Sequence, residues 1–167
     1  YHDGYVYFRK SLKSGETFRP GNAVVAVRDA AGRILWSWHL WMPEETSPEG
    51  TELGSAYANS AGTVMSYNLG ETSANRNGGF FYQWGRKDPF PADYHSRSVF
   101  PAAIESSSET GTVEYTASHP MQFICGTDES FYDWSYAISD CTAWGAYEGK
   151  GLYDPCPPGW HLPDCSG

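Results

Sequence analysis

Cys156 and His161 stand five positions apart in the stretch YDPCPPGWHLP, residues 153–163. A thiol that meets an imidazole is raw material for nucleophilic catalysis. Nothing local places the two against each other, and no G-x-S-x-G elbow occurs elsewhere in the chain. A structural disulfide beside a packed imidazole is the plainer account, and no catalytic residue is assigned. The prolines forbid a helix here, because each fixes its own φ and pushes the preceding residue to extended geometry. The stretch reads as a stiff turn that aims Trp160 and His161.

The four cysteines, Cys125, Cys141, Cys156 and Cys165, all lie in the last third of the chain and form no C-x-x-C pair. Zinc ribbons and thioredoxin-type redox motifs are therefore not expected. All four are disulfide candidates, with three pairings open, and at least one bridge is expected, which implies export. There is no H-E-x-x-H and no EF-hand loop. Asp128, Glu129 and Asp133 in GTDESFYDW offer oxygen ligands of the kind Ca²⁺ takes. Exposed loop acids explain them more simply, and no cofactor is expected. Glycoside hydrolysis needs two facing carboxylates; twenty acids make some such pair inevitable, so their presence decides nothing.

Carbohydrate binding suits the composition better. Seven Trp and twelve Tyr supply faces on which a pyranose stacks, with amides and acids to take up its hydroxyls. Trp41, Tyr82, Trp84, Trp134, Trp144 and Trp160 are the aromatic candidates. The expected ligand surface lies where FFYQWGRKDPF approaches CPPGWHLP. The first segment contributes Tyr82, Gln83, Trp84, Arg86 and Asp88, with Lys87 beside them, and the second contributes Trp160 and His161. The competing account is that the two segments pack together as a clasp that closes the core.

The elements that must position these residues are mostly strands and loops. Eighteen Gly, eleven Pro and a charged fraction of 19% point to a loop-rich, β-rich α+β domain, with residues 1–167 as one module. In NAVVAVRDAAGRILWSWHLWM two strand-like runs flank a turn at Asp29–Gly32. Ile34, Trp36, Trp38, Leu40 and Met42 share one face of the second run; a helix would scatter them. The pair reads as a β-hairpin whose second run is a central strand, with Trp36 and Trp38 in the core. YVYFRK at 5–10 and GTVMSYNLG at 62–70 also read as strands. Residues 43–60 read as a surface loop. Residues 100–119 look the least structured, with one strand at 112–116. A net charge of −9 argues against nucleic acid as partner. No apolar run approaches the length that spans a bilayer. The chain begins with Tyr1, not Met, and is expected to be a processed form or piece of a longer one.

Three blocks, GNAVVAVRDAAGRILWSWHLWM, GGFFYQWGRKDPFP and YDPCPPGWHLP, resemble in this order a module of surface-exposed, often fimbrillin-like lipoproteins of Bacteroidetes. That module is related to the Fibrobacter succinogenes major paralogous domain. SYNLGETS resembles the family's short strand-and-turn segment. The resemblance implies an extracellular protein at the bacterial outer-membrane surface and a C-type-lectin-like architecture. In such modules the C-P-x-G-W/Y-x-x-P corner leads into a further helix and strands; here it meets DCSG, so those last strands are expected to be missing.

The leading expectation is thus a non-enzymatic cell-surface module, adhesin-like or glycan-binding, that engages a glycan, a host or cell-surface protein, or envelope and pilus subunits. The alternative is an assembly subunit completed by a partner strand. A third reading is a glycan-active or formylglycine-generating-like enzyme. WHLP faintly echoes that branch's R-L-P-x-x-x-E-W corner, but its copper-binding cysteine pair has no clear equivalent.

Overall fold

Asp29 closes the hairpin. Its backbone bonds reach Arg33 O (2.9 Å) and Gly32 N (3.0 Å), and its Oδ1 accepts from Ala31 N and Arg33 N, both at 2.9 Å. Gly32 takes the left-handed φ of +82° that such a turn requires. The turn joins β1 (Gly21–Arg28) to β2 (Ile34–Met42), antiparallel, with Val25 opposite Trp38, Val27 opposite Trp36 and a bulge at Val27/Arg28. This computed structural model describes residues 5–8, 11–12, 14–17, 19–43, 54–56, 63–65, 68–72, 78–91, 103–130, 133–136, 143–145 and 149–162.

The hairpin is as the alternation predicts, but three details differ. Among the described residues β2 pairs with β1 alone and is not a central strand. Trp36 and Trp38 are only half-buried, whereas Ser37, on the opposite face, is 1% exposed. The reason is a polar partner: Asp88 seats against Ser37, while Trp36 and Trp38 border an open groove. The 5–8 segment is no strand; Tyr5 makes one bridge, and Tyr5 and Tyr7 are exposed.

Two short pairs follow. β3 (Gly54–Ala56), within the expected loop, lies antiparallel to β4 (Thr63–Met65). β5 (Phe80–Phe81) lies antiparallel to β6 (Phe90–Pro91).

Residues 103–125 are the largest correction. β7 (Ile104–Glu105) runs into α1 (Val113–Ser118), and the chain returns as β8 (Ile124–Cys125), parallel to β7. A parallel pair needs a crossover, and α1 supplies it. The expected strand at 112–116 is helical because Thr112 caps it: its Oγ1 accepts from Tyr115 N at 3.2 Å. α1 packs on β2.

Among the described residues Phe90, Ile124, Trp134 and Cys156 are the buried apolar side chains, and Arg86 (1% exposed) is buried with them. The guanidinium lies 4.9 Å from the Phe90 ring and 5.7 Å from Trp134. It donates to Gln83 Oε1 (2.6 Å), Gln122 O (2.8 Å) and His119 O (3.2 Å). The described chain is a loop-rich α+β assembly of two-stranded sheets, and no described helix is long and apolar enough to cross a membrane.

Candidate ligand-binding surfaces

The β5–β6 pairing folds residues 82–89 into a loop that sorts its side chains by direction. Gln83 turns inward and behaves as a strand neighbour of Ile124: Nε2 donates to Ile124 O at 2.6 Å, and Oε1 accepts from Ile124 N at 3.2 Å. Arg86 is the core cation. Asp88, 2% exposed, accepts from Ser37 Oγ at 2.6 Å and from Lys87 Nζ at 2.8 and 2.9 Å. Three of the five candidates from this segment therefore hold the fold together.

Trp84 turns outward. It is 36% exposed, and its ring centroid lies 4.4 Å from that of Trp144 at an interplanar angle of 56°. Main-chain carbonyls anchor the surroundings: Trp144 Nε1 donates to Arg86 O at 3.0 Å, and Trp134 Nε1 to Trp84 O. Gly85, at φ +76°, makes the turn between them. The Trp144 ring is thus tied to the Arg86 main chain, and the Trp84 ring rests against Trp144 while its carbonyl is held by Trp134.

Tyr82 is half-buried and ties this loop to the hairpin. Asn22 Nδ2 donates to Gly70 O at 2.7 Å, which leaves Asn22 Oδ1 to accept from His39 Nε2 at 2.8 Å. His39 Nδ1 then accepts the Tyr82 hydroxyl proton at 3.0 Å. Burial draws the imidazole down to about 4, against an opposing pull from Asp88, and pushes the Tyr82 phenol up.

The 153–162 corner is organised by Asp154, 6% exposed, which sequence reasoning missed. Its Oδ1 accepts from Cys156 N (2.7 Å) and Lys150 Nζ (3.0 Å), and its Oδ2 from Leu162 N (2.8 Å). Burial raises the carboxyl, but these donors outweigh it and hold the group below its usual range. An aspartate flanked by Tyr and Pro carries no sequence signal for such a hub. Pro157 O accepts from Trp160 N at 3.1 Å, with Gly159 at φ +84° between them. Trp160 is half-buried. His161 is exposed, and its Nδ1 donates to Leu162 O at 2.8 Å, not to Cys156.

Neither set of nucleophiles is arranged for attack. Burial, with Asp154 adding to it, pushes the Cys156 thiol up to about 12. Ser37 and Lys87 are in contact, the components of a serine–lysine couple, but Lys87 Nζ donates to both Asp88 oxygens and Ser37 already gives its proton to Asp88. Cys125 and Cys156 are free thiols, Cys125 exposed and Cys156 buried; Cys141 and Cys165 lie outside the described residues. Asp128 and Glu129 sit on a 3₁₀ turn, Asp128–Ser130, and Asp133 Oδ1 accepts from Ser135 N. No group of three His, Cys, Asp or Glu side chains suited to a metal forms among the described residues.

Residues of both segments line one groove, but not the expected ones: Lys87 comes from the first, and Cys156, Pro157 and Pro158 from the second. The groove, which Asp154 also lines, has a volume of about 1440 Å³. Its floor is Trp36–Met42 of β2, and Phe8, Leu12, Leu152, Pro155, Pro157 and Pro158 also line it. Inside it the Trp36 ring is covered by Lys87 Nζ at 4.6 Å and by Tyr153 at 5.7 Å, and Trp38 by Phe8 at 5.6 Å. No family model matches the chain, and neither a curated protein nor a solved structure matches it.

Proposed function

We propose that this chain is a non-enzymatic module of the bacterial cell surface that binds glycans, an adhesin-like component built on a C-type-lectin-like plan. The observation that carries the reading is the Trp84–Trp144 pair: an indole one-third exposed, packed against a half-buried indole whose N–H is anchored to Arg86 O. A rigid, preorganised ring loses little entropy when a sugar stacks on it, and stacking asks for no charge. The locked state of Ser37, Lys87 and Cys156 supports a binding role over a catalytic one. The sequence resemblance to envelope lipoprotein modules supports the location.

A glycan array with the intact protein tests this, followed by Trp84→Ala. Retained melting temperature with lost glycan binding is the expected result. An array with no hits, or binding that survives Trp84→Ala, would sink the platform. The second reading, a subunit completed by a partner strand, draws on a separate observation, the pairing of β2 with β1 alone among the described residues.

A further inference from the structure

The groove beside β2 has a lining that a pocket over one sheet face would not have. Seven consecutive residues, Trp36–Met42, contribute to it, whereas β1 contributes only Val25. Successive side chains of a strand point to opposite faces, so a cavity above one face touches every second residue. A cavity that touches all of them runs along the strand's edge, here the edge away from β1. Along that edge alternate residues direct N–H and C=O outward, and no described strand pairs with them.

We propose that this edge groove binds an uncharged, extended peptide segment of a partner chain, which adds to β2 as a third strand. The proposal deepens the assembly reading and is independent of the Trp84 platform. Three observations choose the occupant. First, an acyl chain would fill the groove but leave the main-chain donors and acceptors of β2 unpaired, whereas a peptide supplies both at the right repeat. Second, about 1440 Å³ exceeds the roughly 300–1,000 Å³ of ordinary small-molecule pockets, and seven residues of floor run about 23 Å, the length of seven extended residues. Third, among the described wall residues no charged side chain is free: Lys87 is paired with Asp88 and Asp154 with Lys150, and Glu16 and Arg19 have partners too. A charged side chain entering the groove would be desolvated without a counter-charge. A second copy of a chain carrying −9 is further opposed by mutual repulsion.

The probe is a fluorescein-labelled nonapeptide alternating Thr and Val between terminal lysines, titrated into the intact protein by fluorescence anisotropy. Two further versions carry N-methyl groups on alternate amides, one version for each phase of alternation. Saturable binding is expected, weakened about tenfold or more by one methylated phase and little by the other, because only one set of amides faces β2. Leu152→Glu, at a wall position 74% exposed and so tolerable to the fold, should also weaken binding. Trp84→Ala should leave it unchanged, which separates this site from the glycan platform. No binding of the unmethylated peptide, or equal binding of both methylated forms, overturns the proposal.

Discussion

Ser37 Oγ donates to Asp88 Oδ1 across 2.6 Å, and this bond joins the middle of the β2 strand to a loop 51 residues further on. Both groups are buried, and Lys87 Nζ completes the cluster from the groove side. The arrangement explains why Ser37, and not Trp36 or Trp38, is the buried residue of β2. A buried carboxylate with its ammonium needs every remaining lone pair used, and Ser37 supplies the missing donor.

Removing one member of this cluster should cost more than its size suggests. Ser37→Ala strips one donor from a buried carboxylate and is expected to cost about 1–3 kcal/mol. Asp88→Asn leaves Lys87 buried without its counter-charge and is expected to cost about 3–5 kcal/mol. Urea denaturation measures both. Equal, small effects would mean that the cluster is solvated in solution.

Stability should also depend on pH through His39. Its folded pKa is about 4 against an ordinary 6.5, so between those values the unfolded chain takes up a proton that the folded chain refuses. The contribution is therefore fully present above pH 6.5 and is lost as pH falls toward 4. The shift corresponds to about 3 kcal/mol at most, and the partial exposure of the ring reduces it to about 1–2 kcal/mol. Midpoints measured from pH 4 to 7 should fall less steeply for His39→Gln than for the parent. Parallel curves would show that His39 is not held neutral.

Two glycines with nearly the same backbone separate conformational strain from steric conflict. Gly32 (φ +82°) has nothing within 4 Å of an added Cβ, whereas at Gly70 (φ +85°) that atom would sit 2.3 Å from the Phe80 ring. Gly32→Ala should cost the backbone term alone, about 1–2 kcal/mol. Gly70→Ala should cost clearly more, since its carbonyl also anchors Asn22 and through it His39. Thermal melts of the two variants decide this. Equal losses would mean that Phe80 moves aside freely.

How much of this was legible before the structure depends on the range of the interaction. The β1–β2 hairpin was readable because period-two alternation and the turn residues at Asp29–Gly32 are local. Alternation shows that two faces differ, not which residue on them is buried, and the partner that buries Ser37, Asp88, lies far along the chain. α1 was missed because six residues of Val, Glu, Tyr, Thr, Ala and Ser carry little helical period, and position 115 is Tyr where a capping box would place Glu or Gln. Among the proposed ligand contacts, Trp84 is at the surface as expected. Arg86 and Asp88 turned inward against the usual tendency of charged loop residues, because each found a buried partner. Asp154 looked like one more acid in a chain of twenty.

The two described thiols should differ sharply in reactivity. Cys125 is exposed at the end of β8, whereas Cys156 is buried beneath the Asp154 hub and pushed up to about 12. At pH 8 a thiol of that acidity is thiolate in only about one molecule in ten thousand, so alkylation is slow even when reagent reaches it. Iodoacetamide added to the reduced, native protein should modify the Cys125 peptide and spare the Cys156 peptide, as read by peptide mass mapping. Unfolding in guanidinium should remove the difference. Asp154→Asn is the informative variant: it removes the charge that helps to raise the thiol and keeps one amide oxygen, which can accept from the Cys156 or the Leu162 amide but not from both. Cys156 labelling in that variant should quicken. If Cys156 in the parent reacts as fast as Cys125, the corner opens to solvent and the groove wall formed by Pro155–Pro158 is not a fixed one.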